Sequence, residues 1–111
     1  MSFPRISTLS LEYIRVPVKA RRAGVAYDPT SDTVYLAITP KPEVNASDQY
    51  NEPTVWATGS WDTEGTRYLA KATVGPGGDL VPPEAAIYQI WVKVSSSPET
   101  PVMYVGDLEV F

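Results

Sequence analysis

Apolar and polar residues alternate along this chain in short runs, each closed by a proline- or glycine-rich break. In Tyr88-Gln89-Ile90-Trp91-Val92-Lys93-Val94 the even positions are apolar, while Gln89, Trp91 and Lys93 take the other side. Val34, Leu36 and Ile38 repeat the pattern around Tyr35 and Ala37. A period of two is what a strand half buried in a sheet requires, because successive side chains point to opposite faces. No stretch of similar length repeats at the three- and four-residue spacing of an amphipathic helix. The pattern predicts an all-β fold.

The runs divide the chain into six strands, or seven if the segment near Val25 pairs. The first covers Leu9 to Ala20 with Ile14, Val16 and Val18 toward the core, and Pro17 marks it as an edge strand or the site of a bulge. Others are predicted over 33–39, 55–60, 66–74, 87–94 and 102–111, with Tyr68, Ala70, Ala72 and Val74 facing inward in the 66–74 strand. Asp62-Thr63-Glu64-Gly65 reads as a turn, Gly75-Pro76-Gly77-Gly78-Asp79 as a hairpin turn, and Leu80 to Ala86 as a crossover. Residues 1–8 read as an extended, mobile arm, since Pro4 discourages a helix and no apolar face is evident, which leaves 9–111 as the folded domain. The polar stretch 41–53 has no period and reads as a long loop, a frequent contact surface. Short strands at this spacing, with turn chemistry between them, describe a single antiparallel β-sandwich.

A length of 111 residues suits one core between two sheets. The eleven prolines fall mostly between the alternating runs, as they must where ladder donors are needed. Charge is uneven. Residues 1–27 carry Arg5, Arg15, Lys19, Arg21 and Arg22 against Glu12, a net +4, and the remaining residues carry −8. That asymmetry suits a basic strand seeking an acidic partner, such as a neighbouring copy, or one lying within the domain's own acidic sheet. Nucleic acid is not an expected partner, because the total is −4 and Lys19-Ala20-Arg21-Arg22 is the only basic cluster. Neither a signal peptide nor a bilayer-spanning segment is evident, so synthesis in a cytoplasm and no membrane partner are expected.

Candidate chemistry is sparse. The chain has no histidine and no cysteine, which removes the commonest general base, the commonest zinc ligand and every thiolate mechanism. The carboxylate pairs Asp28 with Asp32, Asp62 with Glu64 and Asp107 with Glu109 lack the ligand density of a calcium loop, and no enzymatic role, metal or cofactor is expected from them. Gly75-Pro76-Gly77-Gly78 has neither the Gly-Lys-Ser/Thr ending nor the following helix of a phosphate loop. Three tryptophans and seven tyrosines offer more. Aromatic rings on a sandwich surface can stack on sugars or anchor a protein interface, while tryptophan between two sheets is ordinary core, an expectation that applies to Trp56 or Trp91. Trp91 lies opposite Tyr88, Ile90 and Val92, which predicts an outer-face position; with Trp61 and Tyr50 it forms the candidate sugar-stacking set.

Gly59-Ser60-Trp61-Asp62, the stretch Tyr68 to Gly78, Ile87-Tyr88-Gln89-Ile90-Trp91-Val92-Lys93-Val94 and Ser97-Pro98-Glu99-Thr100-Pro101-Val102 resemble small immunoglobulin-like virion proteins of tailed bacteriophages. Leu11 to Val18 and Tyr27 to Asp32 fit the same resemblance, which therefore covers most of the chain and extends to the amino-terminal domains of baseplate upper proteins. Those domains carry a Leu-x-Pro-Gly-x-Tyr corner, where this chain has the longer, glycine-free Leu80 to Tyr88. The resemblance implies an immunoglobulin-like sandwich and a non-enzymatic structural part of the virion, at the head, neck or tail. Its partners would be other phage structural proteins and copies of itself. The expected docking residues are Arg5, Arg15, Lys19, Arg21 and Arg22 with the aromatics Tyr50, Trp61 and Trp91; the alternative is a module that recognises host surface sugars.

Overall fold

The computed structural model describes residues 5–19, 21–22, 25–26, 28–42, 52–65, 67–95 and 100–111, with only the backbone of 21–22 and 25–26. Ten strands follow in chain order: β1 (Arg5–Ile6), β2 (Glu12–Val18), β3 (Arg21–Arg22), β4 (Val25–Ala26), β5 (Thr33–Pro40), β6 (Ala57–Thr58), β7 (Ser60–Glu64), β8 (Arg67–Val74), β9 (Ala86–Ser95) and β10 (Val102–Val110). They build a five-stranded sheet in the order β1-β10-β9-β5-β6, a three-stranded sheet β2-β8-β7, and the small hairpin β3-β4. The two main sheets match the G-F-C-C′ and B-E-D sheets of an immunoglobulin-like sandwich.

Even-numbered apolar residues supply both inner faces, as the alternation requires. Ile14, Val16 and Val18 of β2 and Ala70, Ala72 and Val74 of β8 meet Val34 and Leu36 of β5 and Tyr88, Ile90, Val92 and Val94 of β9 in one core. The small alanines of β8 leave room for the long side chains of the facing sheet. Each large aliphatic buried this way contributes about 1.5–3 kcal/mol. β2 is an edge strand, which leaves the missing N–H of Pro17 without consequence for the sheet interior.

Tyr88 is fully buried, and its hydroxyl donates to the Glu84 carbonyl at 2.7 Å while accepting from the Glu84 N–H at 3.3 Å. This is a tyrosine corner, made here with no glycine between Leu80 and Tyr88. Tyr88→Phe strands both Glu84 backbone groups and is expected to cost about 1–3 kcal/mol. A denaturation midpoint equal to that of the native chain would show that water replaces the hydroxyl at no cost.

Four expectations are corrected. Over its described part the predicted arm is a strand: Arg5 and Ile6 pair in parallel with Glu109 and Val110, and Ile6 is only 5% exposed. A two-residue strand carries no period, so the alternation could not reveal it; its parallel pairing also makes the five-stranded sheet mixed. Next, the expected strand 55–60 is two pieces on different sheets. Ala57 and Thr58 pair with Leu36 and Tyr35 of β5, whereas Ser60 already pairs with Lys71 of β8. Gly59 makes the crossing, because a Cβ there would overlap Leu36 Cδ1 and sit 2.9 Å from the Lys71 carbonyl oxygen. The expected turn at 62–65 is accordingly mostly β7, with the reversal beginning at Gly65. Lastly, Gly75–Asp79 does not join two antiparallel strands: Leu80 bridges Val74 in parallel, and the chain then crosses to β9 on the other sheet. Of the predicted 41–53 loop, residues 43–51 lie outside the described residues.

Candidate functional site

The outer side of the five-stranded sheet is built around β9. Trp91 does face away from the core, yet it is only 6% exposed and its neighbour Gln89 only 1%. The Trp91 indole Nε1 donates to Thr39 Oγ1 at 3.0 Å, and its ring lies 5.7 Å from that of Tyr104. Ala37, directly opposite on β5, is small enough to admit the indole. The expectation of an open Trp91 is thereby corrected: alternation reports which face a residue takes, not what lies over it. Of the two tryptophans weighed for the core, Trp91 is buried, on the outer side of its sheet, and Trp56 is half-buried.

Beside Trp91, Lys93 Nζ sits between the rings of Tyr35 (4.9 Å) and Trp56 (4.6 Å). A register shift between Tyr104 and Gly106 turns Asp107 onto this same face. There Asp107 accepts from the Tyr104 hydroxyl and pairs with Lys41 at 2.6 Å. These rings and charges are committed to one another.

The remaining predicted docking residues are spread over the fold. Trp61 packs against the core and donates its Nε1 to the Asp32 carbonyl at 2.8 Å. Arg5 pairs with Glu109 at 2.9 Å and lies over the Phe111 ring. Arg15 belongs to a cluster on the outer side of the three-stranded sheet, where it and Lys71 flank the Tyr13 ring and reach Asp62 at 3.4 and 3.9 Å. Lys19 follows β2 and is exposed. Tyr50 and the side chains of Arg21 and Arg22 lie outside the described residues.

The Asp62 carboxyl is held below its usual value of 3.8 first by the Thr63 backbone N–H, then by the Arg15 and Lys71 cations. A lowered folded-state pKa stabilises above the ordinary carboxylate value and ceases to do so as pH falls through the folded one. The difference in melting temperature between the native chain and Asp62→Asn is therefore expected to be present at neutral pH and to vanish in acid, below 3.8. A difference that persists unchanged in acid would assign the effect to packing instead of charge.

What the alternation did not single out is one end of the sandwich. Thr8 N donates to the Phe111 carbonyl at 2.7 Å, and Phe111 N to that of Ile6 at 2.9 Å. The Ser10 N–H closes a turn onto Ser7, which carries Leu9 outward at 89% exposure. Leu11 packs over Gly78, and the 75–80 loop, fastened by Gly75 N to the Leu80 carbonyl at 3.0 Å, leads into Val81 at 60% exposure. Leu9, Leu11, Val81 and Phe111, carried by three separate segments at this end, are thus exposed, as are Tyr13, Val55, Ile87 and Val102. Among the described residues no group of three acidic, histidine or cysteine side chains is placed to hold a metal ion. No protein-family model matches the chain, and neither a curated protein nor a solved structure does so.

Proposed function

We propose that the chain is a non-enzymatic structural component of a tailed-phage virion, at the head or the head–tail connection, and that its work is to bind other proteins. One observation carries this reading: large apolar side chains, Leu9, Leu11, Val81 and Phe111 among them, are exposed, while the indole N–H groups of Trp61 and Trp91 are bonded within the fold. Exposed large apolar groups on a stable domain favour a protein partner, because a sugar face needs open rings beside hydrogen-bonding groups. The immunoglobulin-like order of the strands, together with the Tyr88 corner, agrees with the virion proteins that the sequence resembles. Multiple copies in a symmetric particle would turn individually weak contacts into firm attachment.

The test is mass spectrometry and immunogold labelling of purified particles of the phage that encodes the chain. Its presence in stoichiometric amounts, with label at the head or neck, is the expected result. Absence from the particles, with binding to a glycan array, would replace this reading with host-sugar recognition. Deletion of the first ten residues is a poor test, since it removes Ile6 from the core and would unfold the domain it is meant to probe.

A further inference from the structure

β1 lies at the edge of the five-stranded sheet, where β10 is its only neighbouring strand among the described residues. Arg5 and Ile6 pair with Glu109 and Val110, Phe111 N donates to the Ile6 carbonyl at 2.9 Å, and Thr8 N donates to that of Phe111 at 2.7 Å. Arg5 also reaches the Glu109 carboxylate at 2.9 Å, and Ile6 enters the core. These backbone partners lie at the far end of the sequence, and a second copy offers the same ones. The link from β1 to β2, which belongs to the other sheet, is slight. It turns on a bond from Ser10 N to the Ser7 carbonyl at 3.0 Å and one from Leu9 N to Ser7 Oγ at 3.2 Å, and it leaves Leu9 89% exposed. Beyond it the chain is fixed again, since the backbone of Ser10 and Leu11 lies against Gly75. Opening this turn gives up two local hydrogen bonds that water can replace.

We propose that two copies of this chain exchange β1, each seating Arg5 and Ile6 on β10 of the other and opening the Ser7–Ser10 turn to do so. The inference goes beyond the virion role and stands whatever particle the chain serves. Exchange keeps every β1 contact named above. The closed and exchanged forms therefore differ in the turn, in the entropy of joining two copies, and in what the open links bury. Two open links pass each other at a two-fold axis, which brings Leu9 of each copy against that of the other. That contact takes from water the most exposed large apolar side chain among the described residues. An isologous arrangement of this kind closes on two copies. Because β10 comes last in the chain, its edge is open during folding to the β1 of either copy.

The chain has no cysteine, so an introduced disulfide reports the exchange without interference. An Arg5→Cys chain and a Glu109→Cys chain are refolded together at roughly millimolar concentration, the range in which a second copy competes with a short link, and then oxidised. A covalent heterodimer joined between positions 5 and 109 is expected, because these positions are in register on β1 and β10. The doubly substituted chain, refolded at high dilution, is the control: it should close the same bond within one chain. Leu9→Ser, at a position too exposed to affect folding, should leave the melting temperature of the monomer unchanged and weaken the dimer about tenfold or more. Mixed chains that form no bond between 5 and 109, while the double variant closes its own, overturn the proposal. So do dimers that are indifferent to Leu9→Ser. The two readings fail separately, since absence from particles removes the virion role and leaves the exchange standing.

Discussion

Gly75→Ala is expected to be the most damaging single-methyl change in the chain, costing about 4 kcal/mol of a total stability of about 5–15 kcal/mol. Two effects add. Gly75 has φ +134°, a region that side-chain-bearing residues reach only at a cost of about 1–3 kcal/mol. Its missing Cβ is also where the Ser10 carbonyl oxygen lies, with Leu11 Cα 2.9 Å away, and both are backbone atoms that cannot swing aside. Relief would require the start of β2 to part from the 75–80 loop, taking with it the bonds from Gly75 N to Leu80 and from Leu80 N to Thr73. Gly77→Ala is the control, since Gly77 has φ +76° and open space around it. It should cost about 1 kcal/mol, the conformational part alone. Equal losses in urea denaturation for the two variants would show that the contact with Ser10 is relieved at no cost.

Leu36→Ala follows, at about 3–4 kcal/mol. Leu36 is completely buried in β5, between β9, where it faces Val92, and β6, where it faces Ala57. Ladders on both sides hold the surrounding backbone in place, so the cavity collapses little and the low end of the usual range does not apply. The same side chain fills the space that a Cβ on Gly59 would take. Gly59→Ala should therefore be costly in the native chain and distinctly milder in the Leu36→Ala background, with a residual penalty from the Lys71 carbonyl. A double-mutant cycle reads this coupling directly; strictly additive losses would mean that the crossing at Gly59 does not depend on Leu36.

How much of this could be read from the residues alone depends on whether a feature is local. The inner faces of β2, β5, β8 and β9 were legible, because Ile14-x-Val16-x-Val18 and its counterparts state their own period. Pro17 rightly marked an edge, for the reason that a missing donor is tolerated only there. Pairings between distant segments were not legible: nothing near Arg5 announces Glu109, and a two-residue strand has no pattern to recognise. The glycine at 59 looked like part of a strand, because its purpose is to avoid a leucine twenty-three positions earlier in the chain. Of the docking residues, sequence identified charge and aromaticity but not commitment. The indole N–H of Trp91 finds Thr39 and that of Trp61 the Asp32 carbonyl, partners that sequence does not announce. The apolar end escaped notice because Leu9, Leu11, Val81 and Phe111 become neighbours only after the fold is complete.

That last dependence bears on how the protein is made. β1 is held by residues 109 and 110, so the five-stranded sheet cannot be finished until β10 has emerged from the ribosome. Contacts spanning nearly the whole sequence impose slow, late closure, and until then β9 waits with one flank bare. Phe111 and Leu9 are likewise brought together only by that closing step, through Thr8 and Ile6. A nascent or misfolded chain consequently lacks this juxtaposition of apolar residues. Under the assembly role proposed above, fitness to dock would be coupled to the completion of folding, with no separate checkpoint against unfinished copies.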